Sequence, residues 1–291
     1  VDPCDRGALR FLWWENYEFF GEPTEFQWTS HPSGATSSSF CATFALRKTV
    51  EEFGSDYAIS TCSAIDNNLY VDDCLKSLPD SVTAKCFVNE ISALLSKGGF
   101  RMRNCSSNDR GVLSAIDPTE LTSGVRNLTT DPLPMERALG VQWDTESDTL
   151  VIAFNLPTKP PTRRGVLSCI SSLYDPLGFV SPWLIPGKCL LQSLCKGGLG
   201  WDEPLNDADR TRWDNWLSNL RSLHNLRFPR CIKPREVSGI PHAELHVFCD
   251  ASETAYSVMA YARFLVDAEV SGCSLVFSKA RVAHLNPFRY Q

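Results

Sequence analysis

The chain has 291 residues, of which 43% are hydrophobic, 21% charged and 11% aromatic, with 17 Gly and 18 Pro. Such a composition excludes disordered, collagen-like and low-complexity chains, and the length suits one large domain or two to three small ones at about 100 to 200 residues each. The charge-free stretch Pro176 to Gly187 is shorter than the roughly 18 apolar residues of a membrane span and carries internal prolines, so no membrane partner is expected. The start, Val1-Asp2-Pro3-Cys4-Asp5-Arg6, has neither an initiator Met nor a basic-then-apolar signal pattern, which suggests a piece of a longer protein. Twelve cysteines without a C-x-x-C pair and five scattered His disfavour a structural zinc site; reduced, mostly buried thiols in a cytoplasmic protein are expected. The sequons at Asn104 and Asn127 carry little weight beside this. A net charge of −6 is not that of an evident nucleic-acid binder. The distribution is uneven, however: Thr158 to Gly200 holds Lys159, Arg163, Arg164, Lys188 and Lys196 against Asp175 alone.

In chain order, a helix is predicted around Cys41 to Lys48. Ile65 to Leu75, flanked by Asp-Asn-Asn, reads as a hairpin rather than a helix. After Pro79-Asp80-Ser81, the residues Phe87, Ile91, Leu94 and Leu95 recur at helical spacing up to Gly98-Gly99, the pattern of a capped amphipathic helix with a glycine stop. Pro and Gly clusters at 131–134, 157–161, 228–234 and 239–241 break the pattern. Between them, Thr162 can cap a helix whose Val166, Ile170, Leu173 and Tyr174 share a face and which stops at Asp175-Pro176. A further helix spans Asn206 to Leu220, with Trp213, Trp216, Leu217 and Leu220 aligned. The period then changes to two: Leu245, Val247 and Cys249 alternate with His246, Phe248 and Asp250, and Tyr256 to Tyr261 and Cys273 to Phe277 follow as strands. The expected fold class is therefore α/β (α+β): mixed elements, then helices, then strands.

Tyr70-Val71-Asp72-Asp73 is the sharpest chemical feature. Neighbours on a strand face opposite sides, so two successive acids reach one site only where the backbone turns tightly. Carboxylates so placed can hold the two magnesium ions that activate a primer hydroxyl and neutralise a triphosphate leaving group. The alternative is a solvated Asp-Asp turn.

The flanking sequence bears on that choice. Upstream lie Leu9-Arg10-Phe11-Leu12-Trp13-Trp14, Glu25-Phe26-Gln27-Trp28 and Gly34-Ala35-Thr36-Ser37-Ser38-Ser39-Phe40. Around and beyond the acids come Asn68-Leu69-Tyr70-Val71-Asp72-Asp73-Cys74-Leu75-Lys76-Ser77, Gly98-Gly99-Phe100-Arg101, Glu136-Arg137-Ala138-Leu139-Gly140-Val141-Gln142-Trp143-Asp144, Arg163-Arg164-Gly165-Val166-Leu167-Ser168 and Ser172-Leu173-Tyr174-Asp175-Pro176-Leu177-Gly178-Phe179. In this order the chain resembles the reverse transcriptases of LTR retrotransposons of the Bel/Pao group.

The resemblance implies a polymerase-type palm with an antiparallel sheet and packed helices in residues 1–145, a helical thumb or connection in 146–238, and the first strands of a ribonuclease H-like domain in 239–291. Asp72 and Asp73 would be palm metal ligands beside Tyr70, Gly34 would let backbone approach the incoming nucleotide, and Leu139 and Gly140 would belong to the hairpin holding the primer end. Lys159, Arg163 and Arg164 would grip template and primer phosphates, and His246-Val247-Phe248-Cys249-Asp250-Ala251-Ser252 would place Asp250 as the first metal-binding acid of the ribonuclease H. The implied partners are an RNA template, a DNA primer, deoxynucleoside triphosphates and the rest of a Pol polyprotein, in a cytoplasmic retrotransposon particle.

The sequence departs from the family pattern at Ser33 (usually aromatic), Ser39 (usually Pro) and Asn104-Cys105 (usually Lys-Trp, the Lys being a proton donor to pyrophosphate). Either Arg103 replaces that donor or the function has been lost. The family's first palm carboxylate would precede Val1 and the later ribonuclease H acids would follow Gln291, so this chain alone is expected to be inactive. Two other readings are a noncatalytic nucleic-acid-binding remnant and a Pao-type aspartic peptidase. The second lacks the Asp-Thr-Gly or Asp-Ser-Gly turn that a peptidase needs.

Overall fold

A computed structural model describes residues 2–15, 19–29, 34–124, 128, 131–138, 140–223, 226–234, 237, 241–267 and 269–284. They divide into two units, one of Val1–Cys105 with Asp109–Thr122 and one of Ser106–Asn108 with Ser123–Gln291.

In the first unit, Arg10–Trp13 (β1) and Thr24–Gln27 (β2) form an antiparallel hairpin with Phe11 opposite Phe26. The helix expected at Cys41 to Lys48 is longer, Ser38–Phe53 (α1), and is followed by Ile59–Asn67 (α2). Leu69–Tyr70 (β3) and Asp73–Cys74 (β4) pair antiparallel. The predicted hairpin is thus shorter than 65–75: Ile65 to Asn67 end α2, because Ala64 and Ile65 turn into the core at 0% and 3% exposure, a burial that local propensity does not register.

Ser81–Lys97 (α3) starts as expected, with the Asp80 carboxylate accepting from the Thr83 N–H at 2.8 Å. These bonds from Thr83 hold Asp80 below the usual carboxylate range. The short helix Arg110–Leu113 (α4) completes the unit. Leu46, Ala64, Ile65, Ile91 and Leu95 make its core, with Leu69, Cys74 and Phe87 packed around them. The β3–β4 hairpin therefore rests on the core that α1, α2 and α3 share.

The second unit contains Met135–Ala138 (β5), Val141–Asp144 (β6), Thr149–Ile152 (β7) and Leu226–Pro229 (β8), an antiparallel sheet in that order. The boundary expected at 145 falls in the turn between β6 and β7, and the sheet joins residues on both sides of it. Between β7 and β8 lie Arg163–Ser171 (α5), Ser181–Lys196 (α6) and Asp207–Ser222 (α7). Thr162 caps α5 by accepting from the Gly165 N–H at 3.1 Å, and Asn206 caps α7 through Asp209 at 2.8 Å.

Val166, Cys169, Ile170, Leu190, Trp213 and Leu220 form the densest core in this unit. Tyr174, expected on the buried face of α5, is 55% exposed: the helix ends at Ser171, and the helical phase that would have turned Tyr174 inward stops with it. α6 begins inside the proline-bearing stretch 176–187. Pro182 sits in the first turn, where no N–H is required, and the burial of Leu184, Leu190 and Leu194 outweighs the bond lost at Pro186. No helix among the described residues is long and apolar enough to cross a membrane.

The last three elements, His242–Ala251 (β9), Ala255–Val266 (β10) and Glu269–Val282 (β11), form an antiparallel sheet of order β11-β10-β9. The expected alternation holds. Directly paired rows put Asp250 with Ser257 and Ala280, and Cys249 with Val258 and Lys279 on the other face. Alternation does not produce an inside, since Leu245, Val247 and Phe248 are all more than half exposed.

The loop between α5 and α6 joins the helices to this sheet. The Leu177 carbonyl accepts from the Ser278 N–H at 2.8 Å, and Gly178, at φ +79°, lies so close that a Cβ would overlap the Ser278 carbonyl oxygen. Gln192 of α6 donates to the Ala283 carbonyl at 2.6 Å.

All twelve cysteines are free. The expectation that they are mostly buried fails, because Cys169 alone is buried while Cys4, Cys41, Cys86, Cys195, Cys231, Cys249 and Cys273 are exposed. Most lie on elements whose outer faces have no covering layer.

Candidate functional site

The carboxylate turn is built from its base upward. Leu75 N–H donates to the Asn68 carbonyl at 2.8 Å, and the Asn68 amide returns a bond to the Leu75 carbonyl at 2.8 Å. Lys76 Nζ reaches the Asn68 side-chain oxygen at 3.2 Å and stands 5.2 Å from the centre of the Phe87 ring. At the tip, Tyr70 pairs with Asp73, leaving Val71 and Asp72 as the turn. Val71 has φ +59°. A β-branched residue rarely adopts this conformation, which costs of order 1 to 3 kcal/mol, and such strain clusters at functional sites. Asp72, Asp73 and Tyr70 are exposed.

Two adjacent carboxylates fit one hydrated magnesium ion that also takes oxygens from a substrate phosphate, since this cation keeps several waters and needs few protein ligands. They do not amount to a two-metal set: no group of three or more His, Cys, Asp or Glu among the described residues could hold a metal. Cys74, next in sequence, has its thiol pushed up by burial, as does Cys105, where Glu120 adds to the effect; neither is a ready nucleophile.

Gly34 has φ +88° in open space, a conformation that side chains rarely adopt. Asn104, where the family usually has Lys, is exposed at φ +55°. Arg101 bonds to Glu120 at 3.3 Å and Thr119 at 2.7 Å.

In the second unit, Gly140 has φ +82° between the paired residues Ala138 and Val141, and a Cβ there would stand 2.9 Å from the Tyr174 ring. Leu139 lies outside the described residues. The basic segment is largely engaged within the protein. Arg163 lies over the Trp201 ring at 3.9 Å and donates to the Leu199 carbonyl at 2.7 Å, while Arg164 makes a two-point pair with Asp202 at 2.7 and 2.9 Å. That pair holds Asp202 low and Arg164 high. Lys159 is exposed. Asp250 is an exposed residue of β9 beside Ser257, and among the described residues it belongs to no group of three or more His, Cys, Asp or Glu that could hold a metal.

The structure therefore brings Tyr70, Asp72 and Asp73 together on one hairpin and Arg163 and Arg164 onto one Trp. It adds Trp201 and Asp202, which no local pattern reveals because Asp202 lies 38 residues from Arg164 and Trp201 stands directly before Asp202. It also exposes Lys279 and Arg281 beside Tyr256; their i, i+2 spacing was a readable strand signal.

Residues 162–289 match a family described as the Pao retrotransposon-like RNaseH-like domain. The similarity is to a nuclease-type enzyme family of retrotransposons and is not described as a peptidase. The match takes in α5, α6 and α7, the segment expected to be a thumb, together with β9, β10 and β11. No curated protein matches the chain.

Proposed function

We propose that the chain is a segment of a retrotransposon Pol polyprotein, in which the first unit is the palm region of an RNA-directed DNA polymerase and the last sheet opens a ribonuclease H. The carrying observation is the Tyr70 to Asp73 hairpin, two adjacent carboxylates on a left-handed turn backed by a three-helix core. The retrotransposon match downstream supports the same reading. Asp72 and Asp73 would hold magnesium, which supplies neutralisation of phosphate charge when bound. The chain's own residues shape the hairpin: Val71 turns the backbone at its tip, and Asn68 and Lys76 brace its base. Gly34 leaves room for a nucleotide. Of the three basic residues, Lys159 is the most available for phosphate, because Arg163 and Arg164 have Trp201 and Asp202 to leave first.

Manganese, added with a deoxynucleoside triphosphate and a primer-template hybrid, tests the site by paramagnetic broadening. Amide signals of 70–73 should broaden in the wild type and stay sharp in D72N/D73N; broadening unchanged by the double substitution overturns the assignment. Primer extension by these 291 residues alone is expected to be absent, with only two carboxylates assembled. Incorporation dependent on Asp72 would sink that part. Asn104 in place of a proton-donating Lys favours a second reading, a noncatalytic binding remnant, which predicts hybrid binding without any manganese effect at the turn.

A further inference from the structure

The terminal sheet has a face that neither the polymerase reading nor Asp250 uses. Register places Tyr256 in one row with Ala251 and Arg281, Val258 with Cys249 and Lys279, and Ala260 with Val247 and Phe277. Directly paired residues share a face, and so do every second residues along a strand. Tyr256, Phe277, Lys279 and Arg281 therefore stand on one side, and Asp250 stands on the other. Tyr256 is 40% and Phe277 36% exposed, and the rows nearest the β9–β10 turn line a shallow depression formed by Cys249, Ala251, Tyr256, Val258, Lys279 and Arg281 together with Asp250 and Ser257.

The two cations differ from nine of the sixteen described arginines. Arg10, Arg47, Arg101, Arg164, Arg210, Arg212, Arg227, Arg230 and Arg263 are all ion-paired. Lys279 and Arg281 are exposed and have no such partner among the described residues. Of the acids at this end, Asp250 pairs in a row on the opposite face but also borders the depression, leaving two cations there against one carboxylate, and Glu253 lies in the turn between β9 and β10.

We infer that this face binds single-stranded nucleic acid, with bases stacking on Tyr256 and Phe277 and Lys279 and Arg281 holding the phosphates between them. Exposed aromatics on a flat sheet offer a π-face to any base, and free cations beside them neutralise the backbone; this combination suits a single strand, whose bases are available for stacking, better than a duplex, whose bases are stacked on each other. The apolar residues alone would suit a protein partner equally. The unpaired positive charge beside the aromatics decides for a polyanion. The site goes beyond the proposed polymerase function, being on a different element and independent of Asp72 and Asp73.

Fluorescence anisotropy of the full chain with a short labelled oligothymidine tests it. Y256A and F277A should each weaken binding by about fivefold or more, and Y256W should restore it. K279Q/R281Q should lower the salt slope by about 1.4 units, two phosphate contacts at roughly 0.7 each for a single strand. If an aromatic variant loses its circular dichroism, the charge pair carries the test, since both of its side chains are exposed. Binding that is absent in the wild type, binding unchanged in all these variants, or sedimentation showing the face covered by a second copy would overturn the proposal. K159Q/R164Q should leave oligothymidine binding intact and affect only the primer-template hybrid, so failure here is distinguishable from failure of the polymerase reading.

Discussion

The α5–α7 helices and the β9–β11 sheet are both rich in apolar residues, yet they bury them very differently. In the helices, Val166, Cys169, Leu190, Trp213 and Leu220 are at most 2% exposed. In the sheet, Phe264 is the single buried residue among those described, and Leu245, Val247 and Phe248 stand more than half exposed. Both regions have the correct period for their element. The difference is that three amphipathic helices supply one another's cover, whereas a sheet needs a second layer over each apolar face and here meets one only along part of its length. Periodicity thus tells which residues share a side, not whether that side is inside.

This contrast can be broken most severely at Trp213. Trp213→Ala should cost about 3 to 5 kcal/mol in urea unfolding, while Phe248→Ala, whose ring is 56% exposed and meets Tyr261 edge-on, should cost about 1 kcal/mol or less. Equal losses would mean that the sheet has a core of its own. Gly178→Ala comes next: a side chain forced to a positive φ and into the Ser278 carbonyl should cost roughly 1 to 3 kcal/mol and deprotect the Ser278 amide in hydrogen exchange.

Thr162→Ala removes the cap of α5 and should cost about 1 kcal/mol, recovered in Thr162→Ser. The smallest effect is on pH dependence. Arg227, hydrogen-bonded to Asp144, holds that carboxylate below its usual range. A depressed acid adds stability above its unfolded value, near 3.9, and that stability is lost as pH falls through the lower folded value. Melting curves of the wild type should therefore weaken below about pH 4, and Asp144→Asn should flatten that slope.

Much of the scaffold was legible. The Asp80, Thr162 and Asn206 caps, the Trp213 to Leu220 stripe and the alternation of β9 all follow from local chemistry, and local chemistry is what a sequence displays. The carboxylate turn was legible for the same reason, since adjacent acids need a tight bend. What escaped depends on distant partners. Nothing near Arg164 foretells Asp202, nothing in 176–187 foretells a helix tolerant of Pro186, and nothing in Ile65 says that it ends α2 against Ile91. The exposed cysteines escaped for the opposite reason: a thiol is assigned to the interior by habit, and here the elements that bear them lack an outer layer.

The bond from Ser278 to the Leu177 carbonyl, with Gly178 beside it, is a seam between helices and strands that are a hundred residues apart in the chain. The bond itself runs backbone to backbone, so it depends on side-chain identity chiefly at Gly178, where any Cβ would meet the Ser278 carbonyl, and a cut through the seam removes it altogether. A piece beginning at 239 would leave Ser278 and the end of β11 with donors and acceptors whose partners had stayed behind on α6 and its loop. A part that keeps this seam whole therefore starts no later than Leu177, and the family match, which begins at residue 162, includes both of its sides.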